Sequence, residues 1–127
     1  RTFDATVQDR IEAAIREIAA GVALANGLTA SVDYRRYYPA TINDAEAVQE
    51  ALAAAATVGK AQLAPDPAFT SEDFAFMLQA CKGAYIWLGQ AKPDGSVPLH
   101  NPHYDFNDDV LALGIRLHVA LAERHLG

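Results

Sequence analysis

Leu99–Asp109, LHNPHYDFNDD, is the stretch whose reading decides the fold. It follows a continuous apolar run, Ala84–Leu88 (AYIWL), and precedes an amphipathic stretch with Val110, Leu113, Gly114, Leu117 and Leu121 on one side. An apolar, β-prone run bounded by Gly89 reads as a strand covered on both faces, and the periodic stretch reads as a helix capped by Asn107. His100 therefore lies in a loop after the carboxyl end of a strand, which is where open α/β sheets bind ligands. Pro98 and Pro102 stiffen that loop.

Working outward, residues 61–69 hold two prolines and little regular pattern, and Thr70 or Ser71 caps a short helix with Phe74, Met77 and Leu78 inward. Before it, Asn43 and Glu46 mark the start of a helix with Val48, Leu52 and the alanines of 53–56 on its buried side; Gly59 stops it. Further upstream, Thr6 and Asp9 resemble a capping pair. Val7, Ile11, Ile15, Ile18 and Val22 then share one helical face, and Asn26-Gly27 signals the end of a helix over about 6–25. Leu28–Tyr38 alternates in part, as a half-buried strand packed on that helix does, and Pro39 ends it.

The order helix–strand, then helix, short helix, buried strand, loop and helix, divides the chain at Pro39. Residues 1–38 read as half of a small α+β domain and residues 39–127 as the end of an α/β layered domain. Arg1-Thr2-Phe3 reads as the tail of a strand, a sign of a piece of a larger protein.

Composition removes several classes. With 51% apolar residues and 20% charged ones among 127, the chain has ordinary globular character. Its net charge of −6 and the lack of a basic stripe argue against nucleic acid and anionic membrane as partners. No apolar run is long enough to span a bilayer. Cys81 is the single cysteine, so no internal disulfide is possible, which fits a reducing, cytoplasmic setting.

Few side chains stand out for chemistry. His100 is the leading candidate as a metal ligand, since a neutral imidazole in a stiff loop suits that role. His103 lacks a comparable frame, His118 falls near the apolar side of the last helix, and His125 sits near a helix carboxyl end, where a cation is favoured. Asp105 could fix the histidine tautomer or have no such role; Asp108 and Asp109 complement the positive end of the last helix. Glu72 and Asp73 are adjacent carboxylates at a helix start and point about 100° apart. Tyr34, Arg35, Arg36, Tyr37 and Tyr38 read as strand packing with solvated guanidinium groups rather than as an anion site. Cys81 reads as an inert thiol.

Five landmarks in one order are more specific than any of these alone: Arg1-Thr2-Phe3-Asp4, Tyr38–Asn43 (YPATIN), Ser71–Phe74 (SEDF), Gly83–Gly89 (GAYIWLG) and Leu99–Asp108 (LHNPHYDFND). Together they resemble the carboxyl-terminal portion of the amidohydrolase branch of the dinuclear metallopeptidases, which includes hippurate hydrolases, N-acyl-amino-acid amidohydrolases and auxin-conjugate hydrolases. The resemblance implies an α/β catalytic domain, to which residues 39–127 would belong. It also implies an inserted ferredoxin-like α+β lid, of which residues 1–38 would be the last third and through which a homodimer could form. It implies a small N-acyl amino acid substrate and two divalent metal ions, zinc, manganese or similar, in the whole enzyme. His100 matches the last metal ligand. The general-base Glu and the other ligands belong to the family's amino-terminal half, so these residues alone are expected to be inactive and to hold no metal tightly. Ser71, Glu72, Asp73 and Asn101 become expected site-shaping residues, with either Glu72 or Asp73 facing the site. Lys82 stands where the family often has Pro. The competing reading is a standalone α+β protein-interaction domain with an incidental loop histidine.

Overall fold

The computed structural model describes residues 2–93 and 95–127. Its regular elements are helices: α1 (Ala5–Ala25), α2 (Ala45–Val58), α3 (Phe74–Ala80) and α4 (Leu111–Leu126), the last entered through a 3₁₀ turn, Asp108–Val110. They belong to two compact units, Arg1–Ile42 with Asp66–Cys81, and Asn43–Pro65 with Lys82–Gly127.

In the first unit α1 starts on Asp4 rather than Thr6. The Asp4 carboxylate accepts from the backbone N–H groups of Thr6 (2.7 Å) and Val7 (3.0 Å) and from the Thr6 hydroxyl. These donors hold its carboxyl below the usual range, the Thr6 hydroxyl most of all. At the other end Gly27 adopts φ +71°, Leu28 N donates to Ala23 O (2.8 Å) and Gly27 N to Leu24 O (3.0 Å). That pair of bonds is a Schellman closure, and the left-handed backbone at its centre favours glycine.

The expected strand over Leu28–Tyr38 does not form; among the described residues there is no strand. A strand is a pairing, and alternation alone supplies no partner backbone. The expected contact with α1 does occur, but on the helix's polar side. Arg16 Nη1 donates to Val32 O at 2.8 Å. Arg36 donates to Glu12 Oε2 (2.6 and 2.9 Å) and Asp9 Oδ1 (2.6 Å), and its guanidinium lies 6.0 Å from the Tyr34 ring centre. Val32 and Tyr34 are half-buried. The apolar side stays open: Ile11 is 39% exposed and Ile18 65%. The rest of this unit gathers around rings, Phe3 against Phe69 (4.6 Å between centres) and Tyr38 edge-on to Phe76 (6.1 Å), with Ala75 of α3 fully buried. α3 begins after Asp73, not after Thr70 or Ser71, and Asp73 makes no capping bond.

In the second unit the side chain that caps α2 is Asp44, accepting from Glu46 N (3.1 Å) and Ala47 N (3.0 Å). Asn43 is freed for another task. Its amide donates to Tyr85 O (3.2 Å) and its carbonyl accepts from Tyr85 N (2.8 Å), while Asp44 N donates to Gly83 O (3.0 Å). One asparagine side chain thus serves the backbone of the Ala84–Leu88 run much as a neighbouring strand would. The run itself is neither paired as a strand nor covered on both faces; Trp87 is 62% exposed.

α2 and α4 pack on each other. Ala51 and Ala54 are the buried residues of α2 and Leu117 that of α4. Val110, Leu113, Gly114 and Leu121 are half-buried, as the helical spacing predicts. Gly114 admits Leu88, whose Cδ2 would stand 3.2 Å from an added Cβ.

Leu117→Ala is expected to cost about 2–5 kcal/mol by the usual cavity cost, whereas Leu126→Ala, at a position 84% exposed, should change stability by less than about 0.5 kcal/mol; chemical denaturation compares them. The Glu12 carboxyl is held below its ordinary range, first by Arg16 and then by Arg36. Its folded value lies below the unfolded one, so its stabilisation is present above the unfolded value of about 4.3 and lost as pH falls through the folded value. The stability difference between the native chain and Glu12→Gln should therefore be flat from about pH 7 to 5.5 and shrink below about 4.3, read from denaturation midpoints across pH.

Candidate functional site

His100 sits in the second unit with its backbone at φ +67°, the one non-glycine residue with positive φ among those described. Left-handed backbone at a residue with a Cβ is uncommon and is tolerated where neighbours determine it. Those neighbours are visible. Asn101 N donates to Pro98 O (3.3 Å), closing the turn on which His100 rides. Asn101 Oδ1 accepts from His103 N (2.9 Å) and Asn101 O from Tyr104 N (2.9 Å). Asn101 is therefore the residue that shapes the turn, through its own side chain and backbone. His100 itself is exposed.

Asp105, left open between two roles, bonds to Lys92 Nζ at 2.5 Å. Lys92 N also donates to Ser96 Oγ (2.7 Å). At the base of the loop, Asn107 N donates to Gln90 Oε1 (3.3 Å), Asn107 Nδ2 donates to Gln90 O (3.3 Å), and Asn107 Oδ1 accepts from Asp109 N (3.2 Å). Asn107 is the buried polar residue among those described. The expected helix cap is thus present, placed on the 3₁₀ turn that leads into α4. Asp108 and Asp109 lie in that first turn, where they complement the helix's positive end. His103, His118 and His125 are exposed, and His125 shares the last turn of α4 with Arg124.

Ser71, Glu72 and Asp73 lie in the first unit, immediately before α3. Glu72 is half-buried and its Oε1 stands 3.5 Å from Phe74 N; Ser71 and Asp73 are exposed. The two carboxylates also interact, and the hydrogen bond with Glu72 pushes the Asp73 carboxyl above its ordinary value. The aromatic-basic cluster is taken up by ion pairs: Arg36 with Glu12 and Asp9, Arg35 with Asp33 at 2.6 Å. Cys81 is exposed, and its Sγ contacts Met77 O at 3.4 Å.

Among the described residues no group of three or more His, Cys, Asp or Glu could hold a metal ion, and no helix is long and apolar enough to cross a membrane. His100 has the chemistry of one nitrogen donor, exposed on a shaped turn. A tetrahedral site needs more donors than this set supplies. The residue that sequence reasoning undervalued is Asn107. It was legible as a cap; its bonds to Gln90 depend on two positions far apart in the chain.

Removing the Glu72 charge should let Asp73 return toward ordinary behaviour: in Glu72→Gln the Asp73 carboxyl is expected to titrate at lower pH than in the native chain. Carbon-detected NMR titration of the side-chain carboxyl checks this.

Three relatives show the company the chain keeps. It is 30% identical over 129 residues to the hippurate hydrolase of Campylobacter jejuni, covering 99% of this chain and 33% of that protein. It is 28% identical to thermostable carboxypeptidase 1 of Saccharolobus solfataricus, covering 96% and 32%. It is 29% identical to the N-acetyldiaminopimelate deacetylase of Oceanobacillus iheyensis, covering 95% and 32%. The chain spans about a third of the length of these curated relatives. No solved structure matches it. The profile of peptidase family M20/M25/M40 matches residues 2–124, nearly the whole sequence, and the chain belongs to that family.

Proposed function

We propose that this chain is the carboxyl-terminal portion of a metal-dependent amidohydrolase that cleaves the amide bond of N-acyl amino acids or small peptides. The observation that carries the reading is the family match across residues 2–124, with the histidine loop inside it. Hydrolases of N-acyl compounds stand among the relatives by name, the hippurate hydrolase and the N-acetyldiaminopimelate deacetylase.

In this reading residues 39–127 contribute to an α/β catalytic domain, and residues 1–38 to a ferredoxin-like lid that could join two protomers. The runs at 28–38 and 84–88 would gain strand partners only within that larger architecture. Two bound divalent cations, zinc, manganese or similar, would supply polarisation of the scissile carbonyl and a more acidic water. His100 would provide one nitrogen to one of them, on a turn fixed by Asn101. Ser71 and the carboxylates of Glu72 and Asp73 would shape the substrate side of the site. This chain contributes no general base in that scheme, so these residues alone would not turn over substrate.

The test is amino acid release from N-benzoyl and N-acetyl amino acids by the intact protein, alongside its metal content. His100→Ala should lower turnover by at least about a hundredfold and reduce bound metal, in line with loss of a metal donor. His103→Ala and His125→Ala should keep most activity. Near-normal turnover and metal content in His100→Ala would overturn the assignment.

A further inference from the structure

We propose that Asn107 is the positioning residue of His100. It would hold the histidine loop in its metal-presenting shape by closing the loop's stem. The inference rests on the reading of His100 as a metal donor and adds a residue through which that donor is placed.

Three observations converge on Asn107. It is 9% exposed, a buried polar side chain beside a loop whose other residues are largely exposed. A buried amide is costly unless its hydrogen-bonding groups are used, and here both are. Its Nδ2 donates to Gln90 O and its Oδ1 accepts from Asp109 N, while its backbone N–H donates to Gln90 Oε1. One side chain therefore ties the residue leaving the Ala84–Leu88 run to the turn that starts α4. His100 stands between the two tied ends, in a backbone conformation that its Cβ disfavours. A strained residue keeps its conformation only where its surroundings over-determine it. The turn bonds around Asn101 set the shape locally, and the Gln90–Asn107 stem fixes the two ends from which the turn is built.

The cap and the stem can be separated. Serine and aspartate cap helices about as well as asparagine, but neither carries an amide donor for Gln90 O. Asn107→Ser is neutral, and Asn107→Asp keeps the side-chain size. Both should retain the 3₁₀ turn and α4 while loosening the stem.

The test uses the intact protein and two readouts. In amide hydrogen exchange, the N–H groups of Asn101, His103 and Tyr104 should exchange about tenfold faster in both variants, the change expected when a hydrogen bond of ordinary net strength is lost. Amides within Ala45–Val58 and Leu113–Leu121 should exchange at native rates. In zinc binding, measured by competition with a chelator, affinity should fall about tenfold, as when an outer partner of a ligand is removed. His100→Ala should lower it at least as much. Native exchange in the loop of both variants would overturn the proposal. So would equal acceleration throughout the unit, which would make Asn107 a residue of general stability. If zinc affinity falls in His100→Ala but in neither Asn107 variant, the positioning role fails and the metal reading stands. If His100→Ala binds zinc like the native protein, the metal reading fails and the positioning role falls with it.

Discussion

The second unit depends on the close contact of α2 with α4. Ala51 and Ala54 present small surfaces that let the helices approach, and Leu117 is buried. Fully burying a leucine is worth about 1.5–3 kcal/mol, and alanine methyl groups much less. The contact is therefore modest in energy, and polar bonds at the helix starts determine what hangs from it. Asn43 and Asp44, at the start of α2, hold the backbone at Gly83 and Tyr85. Asn107, just before α4, holds Gln90. The run 84–88 and the histidine loop are thus suspended between two helix amino ends. Those ends carry unsatisfied N–H groups that call for polar side chains in any case.

What the sequence made legible follows from how local each feature is. Helical spacing placed α1, α2 and α4 and the inward residues of α4, because a helix closes its hydrogen bonds within four residues. Cap identity was less legible. Asp4 and Asp44 cap where Thr6 and Asn43 were expected, each shifted by one or two residues, since several side chains at a helix start can accept the same N–H groups. Strands were not legible as strands. Leu28–Tyr38 and Ala84–Leu88 have the right composition, but a ladder needs a second backbone, and composition does not reveal whether one is adjacent. In its place each run found side chains: Arg16 reaches Val32 O, and Asn43 serves Tyr85.

The candidate site divides along the same line. The loop around His100 was readable from Pro98 and Pro102, which act over a few residues, whereas the turn that Asn101 closes and the left-handed backbone of His100 were not. The pairing of Asp105 with Lys92 and the tie between Asn107 and Gln90 span longer separations, and only the fold reveals them. The polar side of α1 makes the same point. Asp9, Glu12 and Arg16 lie along one stripe of the helix, and Arg36 fits that stripe from a distant part of the chain. The guanidinium groups of Arg35 and Arg36, expected to be solvated on a packed strand, are instead engaged in ion pairs.

Charge and apolar surface then divide α1 between two tasks. Its ion-paired stripe fastens the segment that follows the helix, so that segment is not free to cover Val7, Ile11, Ile15, Ile18 and Val22 on the other side. A continuous apolar stripe on a helix is the pattern of a face built for burial. Under the proposed reading that face lies against the lid's sheet, and the run 84–88 lies within the catalytic sheet. In that reading a donor set at His100 would obey the same logic, since a metal site, like a sheet, is assembled from groups far apart in sequence. Turns and caps are complete within this chain because they are local. In the proposed reading strand ladders and ligand sets are not, because their remaining parts would come from elsewhere in the architecture.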